Sequence, residues 1–479
     1  MKLLFVGSEV MPFAATGGLG DVLGSLPAAL KKTSPDDDIR LVMPLYGSVG
    51  KTWRESMTFV KSFEVQLAWR KIYCGVFSLE KDGVTYYFLD NEYYFKRDSL
   101  YGSFDDGERY AFFCTAVLKL MSEMDFYPDI LHAHDWQSAL SVIYLNLKFR
   151  HIEKYRNIRT VFTIHNIQYQ GQYDFSILGD VFDIDYVDKR FVDYDGCINL
   201  MKGAIEFADY VTTVSPTYAR EIMTPTYAQG LDSMLKRVEF KVRGILNGID
   251  YIYYDPKEDK DIESNFTWRS LAKKAPNKAA LQEYCNLPVR DDVPIYAIVS
   301  RLASHKGLDL VKHILEEFVA NNDVQIVVLG KGEYDYECYF RYLASKYSDK
   351  VSALLVYDRA LSKKIYAASD MFIMPSKSEP CGLSQMIASR YGSVPITRET
   401  GGLYDSIKGY YVDEKGNICG NGFTFANYNA HELLDRMQAA LALYNNKEEW
   451  QKLVKKVMRE DFSWEKSAGD YLALYSSLA

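Results

Sequence analysis

Short runs of apolar residues, rich in β-branched and aromatic side chains, recur along the chain and alternate with helix-length segments. Runs of this length are typical of strands that are buried on both faces. Their alternation with helices predicts an α/β fold built on doubly wound parallel sheets. The predicted strands are residues 3–6, 39–43, 84–89, 130–134, 160–164, 210–214 and 242–246, followed by 295–300, 324–329, 351–356, 371–374 and 394–397.

Three of the intervening segments carry distinct helix signals. Pro216 suits a first helical position, and Ser215 before it is the expected N-cap. Residues 361–367 place their apolar side chains on one helical face. The last segment, residues 461–478, is helical by pattern, with Ser463 as its expected cap. Its predicted apolar stripe consists of Trp464, Tyr471, Leu474 and Tyr475.

The strand pattern pauses between residues 247 and 294, in a stretch rich in Asp, Lys and Asn. We interpret residues 247–256 as a linker between two Rossmann-like domains, residues 1–246 and 257–460, each of ordinary domain size. Residues 461–479 follow as a final helix. Ligands of open parallel sheets bind outside the carboxyl ends of the strands, so two such domains would face a common cleft there.

Composition narrows the class of protein. The net charge is −8 and no long Lys/Arg run occurs, which disfavours nucleic acid as a partner. No apolar run reaches 18 residues, which predicts no membrane partner, and the N-terminal run is too short for a secretory signal. The seven cysteines are scattered without C-x-x-C spacing, which predicts neither zinc nor disulfides and fits a reducing cytoplasm. The 38 tyrosines either pack or stack on sugars and bases.

Glycines follow the first predicted strand, in Thr16-Gly17-Gly18-Leu19, before a helix start predicted at Asp21. Paired glycines let a backbone approach a ligand, and their N–H groups can face an anion at the start of a helix. A plain tight turn explains the same residues equally well.

Two later strands of the first half end in polar residues. The two histidines and the Asp of His132-Ala133-His134-Asp135-Trp136 could suggest a metal site, but no third ligand is spaced nearby, so the lining of a binding cleft is the favoured interpretation. His165 stands directly at the end of the next strand, before Asn166 and Tyr169. This position makes His165 a candidate for binding sugar.

The second half places two cations and a tyrosine at strand ends. Arg301 and Lys306 bracket the loop after its first strand, where they can neutralise a departing diphosphate. Tyr357 follows the strand predicted at 351–356 and can stack on a base.

The most informative loop is Glu379-Pro380-Cys381-Gly382-Leu383, between a strand and a helix predicted to begin near Gly382. Backbone N–H groups of residues 381–384 would point at an anion, while Glu379 hydrogen-bonds sugar hydroxyls. We expect Glu379 to lie in an open cleft, so that Glu379→Ala removes activity without unfolding. Thr400-Gly401-Gly402-Leu403 repeats the glycine motif of the first half.

Together these loops resemble the bacterial glycogen synthases and plant starch synthases over essentially the whole chain. The resemblance implies a GT-B fold, with a final helix that crosses back to the first domain. It implies a retaining transfer of glucose from ADP-glucose to the non-reducing 4-hydroxyl of an α-1,4-glucan. It also implies that no metal or other cofactor is required. The attack would come from the same face, assisted by the departing diphosphate.

Roles of individual residues also come from this resemblance. The catalytic set it implies is Glu379, His165, Arg301 and Lys306. The implied donor-binding residues are Gly17, Gly18, Asp21, Asp135, Asn166, Asn247, Tyr357, Cys381, Gly382, Leu383 and Ser384. The implied acceptor-binding residues are Phe95, Trp136 and Tyr169.

One position departs from the family pattern. Its members usually carry Lys immediately before Thr-Gly-Gly-Leu, whereas this chain has Ala15. The missing charge predicts weaker donor binding or a shifted donor preference. Two alternatives therefore stay open: a related transferase using UDP-glucose or another acceptor, and a non-catalytic glucan-binding paralogue. The presence of Arg301, Lys306, Glu379 and His165 argues against the paralogue.

Overall fold

The structure, a computed structural model, describes residues 1–478. The chain forms two compact units. Unit 1 is Met1–Gly248 together with the segment from Trp464 onward, and unit 2 is Ile249–Ser463. The sequence placed the linker at 247–256 and the start of the final segment at 461.

Unit 1 contains a main sheet of nine strands, a small separate sheet of three short strands, and helices around them. Its strands are β1 (Lys2–Val6), β2 (Asp38–Pro44), β3 (Thr58–Leu67), β4 (Arg70–Lys81), β5 (Val84–Asp90), β6 (Ile130–His134), β7 (Arg159–Ile164), the short β8 (Gln172–Tyr173), β9 (Asp193–Tyr194) and β10 (Cys197–Asn199), then β11 (Tyr210–Thr213) and β12 (Val242–Gly244). Its helices are α1 (Gly18–Thr33), α2 (Lys51–Ser56), α3 (Glu92–Phe95), α4 (Asp106–Glu123), α5 (Trp136–Tyr144), α6 (Lys189–Val192), α7 (Leu200–Phe207), α8 (Pro216–Glu221) and α9 (Asp232–Arg237). A π-helix (Leu145–Phe149) continues α5, and 3-10 turns span Glu153–Tyr155, Phe175–Ile177, Tyr186–Asp188 and Glu239–Lys241.

Unit 2 contains a main sheet of six strands and a separate two-stranded ribbon. Its strands are β13 (Ile295–Val299), β14 (Gln325–Leu329), β15 (Val351–Leu354), β16 (Met371–Met374), β17 (Val394–Arg398), the paired β18 (Tyr411–Val412) and β19 (Ile418–Cys419), and β20 (Phe423–Phe425). Its helices are α10 (Ala275–Tyr284), α11 (Leu308–Asn321), α12 (Tyr334–Lys346), α13 (Arg359–Ala368), α14 (Ser384–Arg390), α15 (Gly401–Ser406), α16 (Ala430–Asn445) and α17 (Lys447–Val457), with 3-10 turns at Leu271–Lys274 and Ser304–Lys306.

The prediction of parallel α/β sheets is confirmed, and all twelve predicted strands correspond to strands of the structure. The sequence missed β3 and β4, which add an antiparallel ribbon to one edge of the sheet of unit 1. Alternate residues of β3 are exposed. Because it lies at an edge with one face in solvent, it lacks the continuous apolar run by which the buried strands were recognised.

The final helix, α18 (Trp464–Leu478), belongs to unit 1 and packs on α1. Its predicted apolar stripe is confirmed, since Trp464, Tyr471, Leu474 and Tyr475 are buried. The predicted Ser463 cap is wrong: its Oγ makes no hydrogen bond among the described residues, and its backbone N–H donates to Asp461 instead. The Ser215 cap is confirmed, because its Oγ accepts from the Tyr218 N–H at 3.2 Å.

Candidate functional site

The main sheet of each unit reverses its strand order at one point, and most of the candidate residues lie in the loops beside it. The parallel strands of unit 1 run β5-β2-β1-β6-β7-β11-β12, so the order reverses between β1 and β6. Unit 2 runs β15-β14-β13-β16-β17-β20 and reverses between β13 and β16. Loops that leave two strands in opposite directions open a crevice at the carboxyl edge, where doubly wound folds bind ligands. We call these two places the switch points.

The glycine loop after β1 is held by an internal carboxylate. Glu9 accepts hydrogen bonds from the Thr16 N–H at 2.6 Å, the Thr16 hydroxyl at 2.8 Å and the Gly17 N–H at 3.1 Å. The Gly17 amide, which was predicted to face a ligand anion, is therefore committed to this side chain. The helix also begins earlier than predicted, at Gly18, and Asp21 lies in its first turn. The predicted anion contact now falls to Gly18, which is exposed.

Asp135 and His165 meet at the ends of β6 and β7. The Asp135 carboxylate accepts the His165 backbone N–H at 2.8 Å. Burial raises the pKa of Asp135 to about 7, against the lowering effect of the His165 and Asn166 N–H groups. Burial lowers the pKa of His165 to about 3, so this ring is neutral at physiological pH. The sequence brought these two residues to one sheet edge, and the structure adds that they touch.

The two histidines of the His132–Trp136 motif, for which metal binding was the disfavoured alternative, are engaged with protein groups. Both ring nitrogens of His132 contact hydroxyls, Nδ1 that of Tyr475 at 2.7 Å and Nε2 that of Thr163 at 2.6 Å. His134 Nδ1 contacts His165 Nε2 at 2.9 Å. Within residues 1–478 no group of three or more His, Cys, Asp or Glu side chains is placed to hold a metal ion.

The predicted acceptor contacts differ in their exposure. Phe95 is fully buried, so this prediction is wrong: its ring packs against Tyr46 and Phe112 and presents no face to a sugar. Trp136 is 9% exposed and lies over Gly171, where any side chain at Gly171 would collide with its ring. Tyr169 is half exposed.

An aromatic groove that the sequence did not predict lies near Phe95. It has a volume of about 540 Å³, and Trp69, Tyr73 and Tyr93 line it with half or more of each side chain exposed. The Trp69 indole N–H donates to Asp180 at 2.6 Å, and Arg70 stacks on the ring at 4.5 Å. In the sequence, the only indication of this groove was Tyr93, two residues before Phe95. Helix α3 directs these two side chains to different sides, one exposed and one buried.

At the switch point of unit 2, Lys306 and Glu379 form an ion pair. Lys306 Nζ contacts both carboxylate oxygens, at 3.0 and 2.7 Å, and the Ser376 hydroxyl donates to Oε2 at 2.9 Å. Glu379 is 6% exposed. The expectation that it lies in an open cleft is therefore wrong, because its carboxylate is buried and held from two sides. Arg301 is exposed, and it follows the end of β13 in the loop that also carries Lys306.

The loop after Glu379 is shaped by Gly382 and by Gln385. Gly382 has φ of +71°, and α14 starts at Ser384, two residues later than predicted. Gln385 Nε2 donates to the carbonyls of Cys381 and Gly382, at 3.2 and 2.9 Å, which fixes the direction of this turn. Leu383 is the N-cap residue of α14. Sequence reasoning missed Gln385 because its role depends on the turn geometry.

The remaining predicted donor contacts occupy separate strand ends. Tyr357 follows β15, is 75% exposed and accepts a hydrogen bond from Arg359 Nε at 3.0 Å. Asn247 follows β12 in unit 1, and its buried Oδ1 has no partner within the described part of the chain. Asn166 Oδ1 accepts the Gln168 N–H at 3.0 Å.

Known proteins match this arrangement from end to end. Residues 2–237 match the family model of the starch synthase catalytic domain, and residues 286–457 match that of glycosyl transferases group 1. The glycogen synthase of Clostridioides difficile (strain 630) is 46% identical over 484 residues, which cover both chains completely. That of Anoxybacillus flavithermus is 46% identical over 480 residues, covering 100% of this chain and 98% of that protein. The chain belongs to the glycogen and starch synthase family.

A solved structure of this glycogen and starch synthase family agrees. The catalytic domain of starch synthase IV from Arabidopsis thaliana, bound to ADP and acarbose, superposes with a TM-score of 0.91 at 33% identity and covers 99% of both chains. Sucrose-phosphate synthase from Thermosynechococcus elongatus, at 17% identity and a TM-score of 0.61, shares the fold. The fold is GT-B, and this family member is a glycosyltransferase that transfers glucose in glycogen synthesis. None of the helices in residues 1–478 has the length and apolar character of a membrane span.

Proposed function

We propose that the donor is ADP-glucose and that glucose passes to the non-reducing 4-hydroxyl of an α-1,4-glucan, with retention of the anomeric configuration. The observation that carries this proposal is the Lys306–Glu379 pair at the switch point of unit 2. It joins a cation suited to a diphosphate to a carboxylate suited to sugar hydroxyls, as a nucleotide sugar requires. The related starch synthase IV was solved with ADP, the product that an ADP-glucose donor leaves.

The proposed step exchanges one bond at the anomeric carbon for another. The bond from C1 to the diphosphate oxygen breaks, and its electron pair leaves with the diphosphate. The acceptor 4-hydroxyl oxygen bonds C1 from the same face and gives its proton to the departing diphosphate oxygen. Negative charge grows on that leaving group. Arg301 and Lys306 would neutralise it, and fixed cations are most effective where charge develops.

We propose that these two cations suffice without a metal ion. Lys306 is already oriented by Glu379 and Ser376, so little reorganisation is needed when the diphosphate arrives. Glu379 would keep this orientation while its carboxylate also accepts from the hydroxyls of glucose.

On the acceptor side, we propose that Tyr93 replaces Phe95 as the aromatic contact of this segment. Tyr93 is 75% exposed, while Phe95 belongs to the core. We further propose a cytoplasmic location, since seven free cysteines suit a reducing compartment.

A donor panel tests the proposal. The purified protein is incubated with glycogen or malto-oligosaccharides and either ADP-glucose or UDP-glucose, with and without EDTA, and the nucleoside diphosphate released is measured. We expect ADP-glucose to be preferred, EDTA to have no effect, and the new linkage to be α-1,4 by NMR. Preference for UDP-glucose or loss of activity with EDTA would contradict the proposal.

The ion pair offers a matched test within unit 2. Glu379→Gln keeps the shape of the side chain but removes the charge that orients Lys306. We expect kcat to fall about a hundredfold or more, as for lost electrostatic contacts in active sites. Asp370→Asn is the control, because Asp370 forms a buried ion pair with Lys278 at the opposite end of β16. It should lower the melting temperature while kcat stays within about twofold, since breaking a buried ion pair away from the site acts on stability. Equal losses of kcat in both variants would point to a structural role for Glu379.

A further inference from the structure

We propose that His134 is a positioning residue that fixes His165 in the tautomer carrying its proton on Nδ1. His134 is the last residue of β6, and His165 directly follows β7, its neighbour in the sheet. The distance between His134 Nδ1 and His165 Nε2 is 2.9 Å. This inference rests on the proposed function, in which His165 is a candidate for binding sugar and belongs to the catalytic set that the family resemblance implies, and it adds a residue that no motif assigned to the reaction.

Both rings are neutral. Burial lowers the pKa of His134 well below its usual range, the proximity of the His132 and His165 rings lowers it further, and burial also lowers the pKa of His165. A neutral imidazole carries one N–H and one lone pair. The 2.9 Å contact therefore has two arrangements, in which either His134 Nδ1–H or His165 Nε2–H donates. Each arrangement fixes what the other nitrogen of each ring can do.

The surroundings of His134 distinguish the two arrangements. Its Nε2 is buried and makes no hydrogen bond within the described residues. If His165 donated, the proton of His134 would sit on this Nε2 as a buried donor without an acceptor. If His134 donates, Nε2 is a bare lone pair instead. Buried N–H groups without acceptors are rarer and costlier than acceptors left unsatisfied. His134 Nδ1–H is therefore the donor, and His165 carries its proton on Nδ1.

The His134 ring cannot turn away from this bond. It is fully buried, and the His132 ring lies beside it at a centroid distance of 4.1 Å. On the β1 side, Phe5 stacks on it at 5.9 Å. His132 is anchored in turn, because Tyr475 of α18 contacts its Nδ1 and Thr163 contacts its Nε2. The cluster therefore holds the His134 ring in place, and within residues 1–478 the bond to His165 is the only hydrogen bond that this ring makes.

The consequence for the reaction is chemical. With Nε2 occupied by His134, His165 has only Nδ1 to offer a ligand, and as an N–H donor. A donor can bind a sugar hydroxyl oxygen or a departing oxygen, but it cannot take a proton. His165 would therefore orient and polarise, and would not act as a base. A histidine held by a partner at its second nitrogen is a recurrent way to fix ring orientation and tautomer.

The tautomer can be read directly without substrate. The full-length protein, labelled with ¹⁵N in its seven histidines, gives ring nitrogen shifts that distinguish Nδ1–H from Nε2–H. The His165 signal is assigned by its loss in His165→Asn. We expect Nδ1–H for His165 in the wild type. Nε2–H for His165 would overturn the proposal, whatever donor the enzyme uses. Failure of ADP-glucose as donor would overturn the proposed function and leave this measurement standing.

Three variants then test the consequence for turnover. His134→Phe keeps a ring between His132 and Phe5 but cannot donate, so His165 should show mixed tautomers and kcat should fall about tenfold or more. His134→Asn restores a donor near the position of Nδ1 and should recover both the Nδ1–H signal and part of kcat. Tyr144→Phe is the matched control, because it removes a buried hydrogen bond in unit 1, from the Tyr144 hydroxyl to the Phe182 carbonyl at 2.6 Å, outside the histidine cluster. Its kcat should match the wild type. Unchanged kcat and tautomer in folded His134→Phe, or no recovery in His134→Asn, would contradict the inference.

Discussion

The chain contains the motif Thr-Gly-Gly-Leu twice, and the two copies are used in opposite ways. In unit 1, Gly17 and Gly18 are exposed, and a Cβ added at either would meet no atom within 4 Å. In unit 2, a Cβ at Gly402 would lie 2.1 Å from the Cys381 carbonyl oxygen. The first copy is open toward solvent, while the second is packed against another loop of the site.

The two copies also differ in what holds them. A single side chain, Glu9, binds the first copy through Thr16 and Gly17. The second copy is bound through the backbone, since the Gly402 N–H contacts the carbonyls of Glu379 and Pro380, at 3.1 and 3.2 Å. The same four residues therefore support an open ligand loop in one unit and a buttress for the Glu379 loop in the other. Small residues permit both uses, and the neighbouring segments decide between them.

The largest effect is expected for Gly402→Ala. The added methyl group collides with backbone atoms of Cys381, which cannot move without shifting the Glu379 loop. We expect a loss of about 2–4 kcal/mol in the free energy of unfolding, typical of severe overpacking, together with a large loss of kcat. Chemical denaturation and steady-state kinetics measure both. A stability within about 0.5 kcal/mol of the wild type, the range of neutral surface changes, would show that the buttress is pliable.

A smaller effect is expected for Glu9→Gln, which tests how the first copy is held. The amide replaces one carboxylate oxygen with a donor that faces the Thr16 or Gly17 N–H. We expect the free energy of unfolding to fall by about 1–3 kcal/mol, as for the loss of hydrogen bonds to a buried charge. We also expect the nucleotide-sugar donor to bind more weakly. Denaturant unfolding and the KM for ADP-glucose report the two effects. Glu80→Gln serves as the control, because Glu80 is an exposed residue of β4 in the same sheet, and equal losses in both variants would remove Glu9 from this role.

Gly18→Ala is the direct counterpart of Gly402→Ala. Gly18 is the first residue of α1 and has open space around it, so alanine should be neutral or stabilise the protein by up to about 1 kcal/mol. If Gly18 approaches the donor phosphate, KM for ADP-glucose should rise severalfold while stability is kept. A stability loss comparable to that of Gly402→Ala would break the comparison of the two copies. An unchanged KM would remove Gly18 from the donor site.

The smallest effect is expected for Ala15→Lys, which supplies the charge that relatives usually carry before this motif. Ala15 is half-buried beside Gly20 at the start of α1. We expect the KM for ADP-glucose to fall a few-fold, because a partly exposed charge contributes about 1 kcal/mol or less. Ala15→Gln has similar length without charge and is the control. An unchanged or higher KM in Ala15→Lys, or an equal fall in both variants, would contradict a role for this charge.

The sequence by itself determined the buried strands, their parallel type and the strand ends that carry polar residues. It could do so because a strand covered on both faces needs a continuous apolar run, and because parallel strands expose their carboxyl ends at one edge. The order of the loops was also sufficient to identify the family. The edge ribbon of β3 and β4 escaped, since a half-exposed strand carries a weaker signal.

Only the tertiary structure decided which of these residues touch. Lys306 and Glu379 are 73 residues apart, and Glu9 meets the glycine loop through a turn that its own sequence does not specify. Phe95 became core and Tyr93 surface because α3 turns one side toward Phe112. His134 bonds His165 because β6 and β7 are neighbours in the sheet. Such contacts depend on strand order and register, which bring distant residues within hydrogen-bond range and leave no local pattern in the sequence.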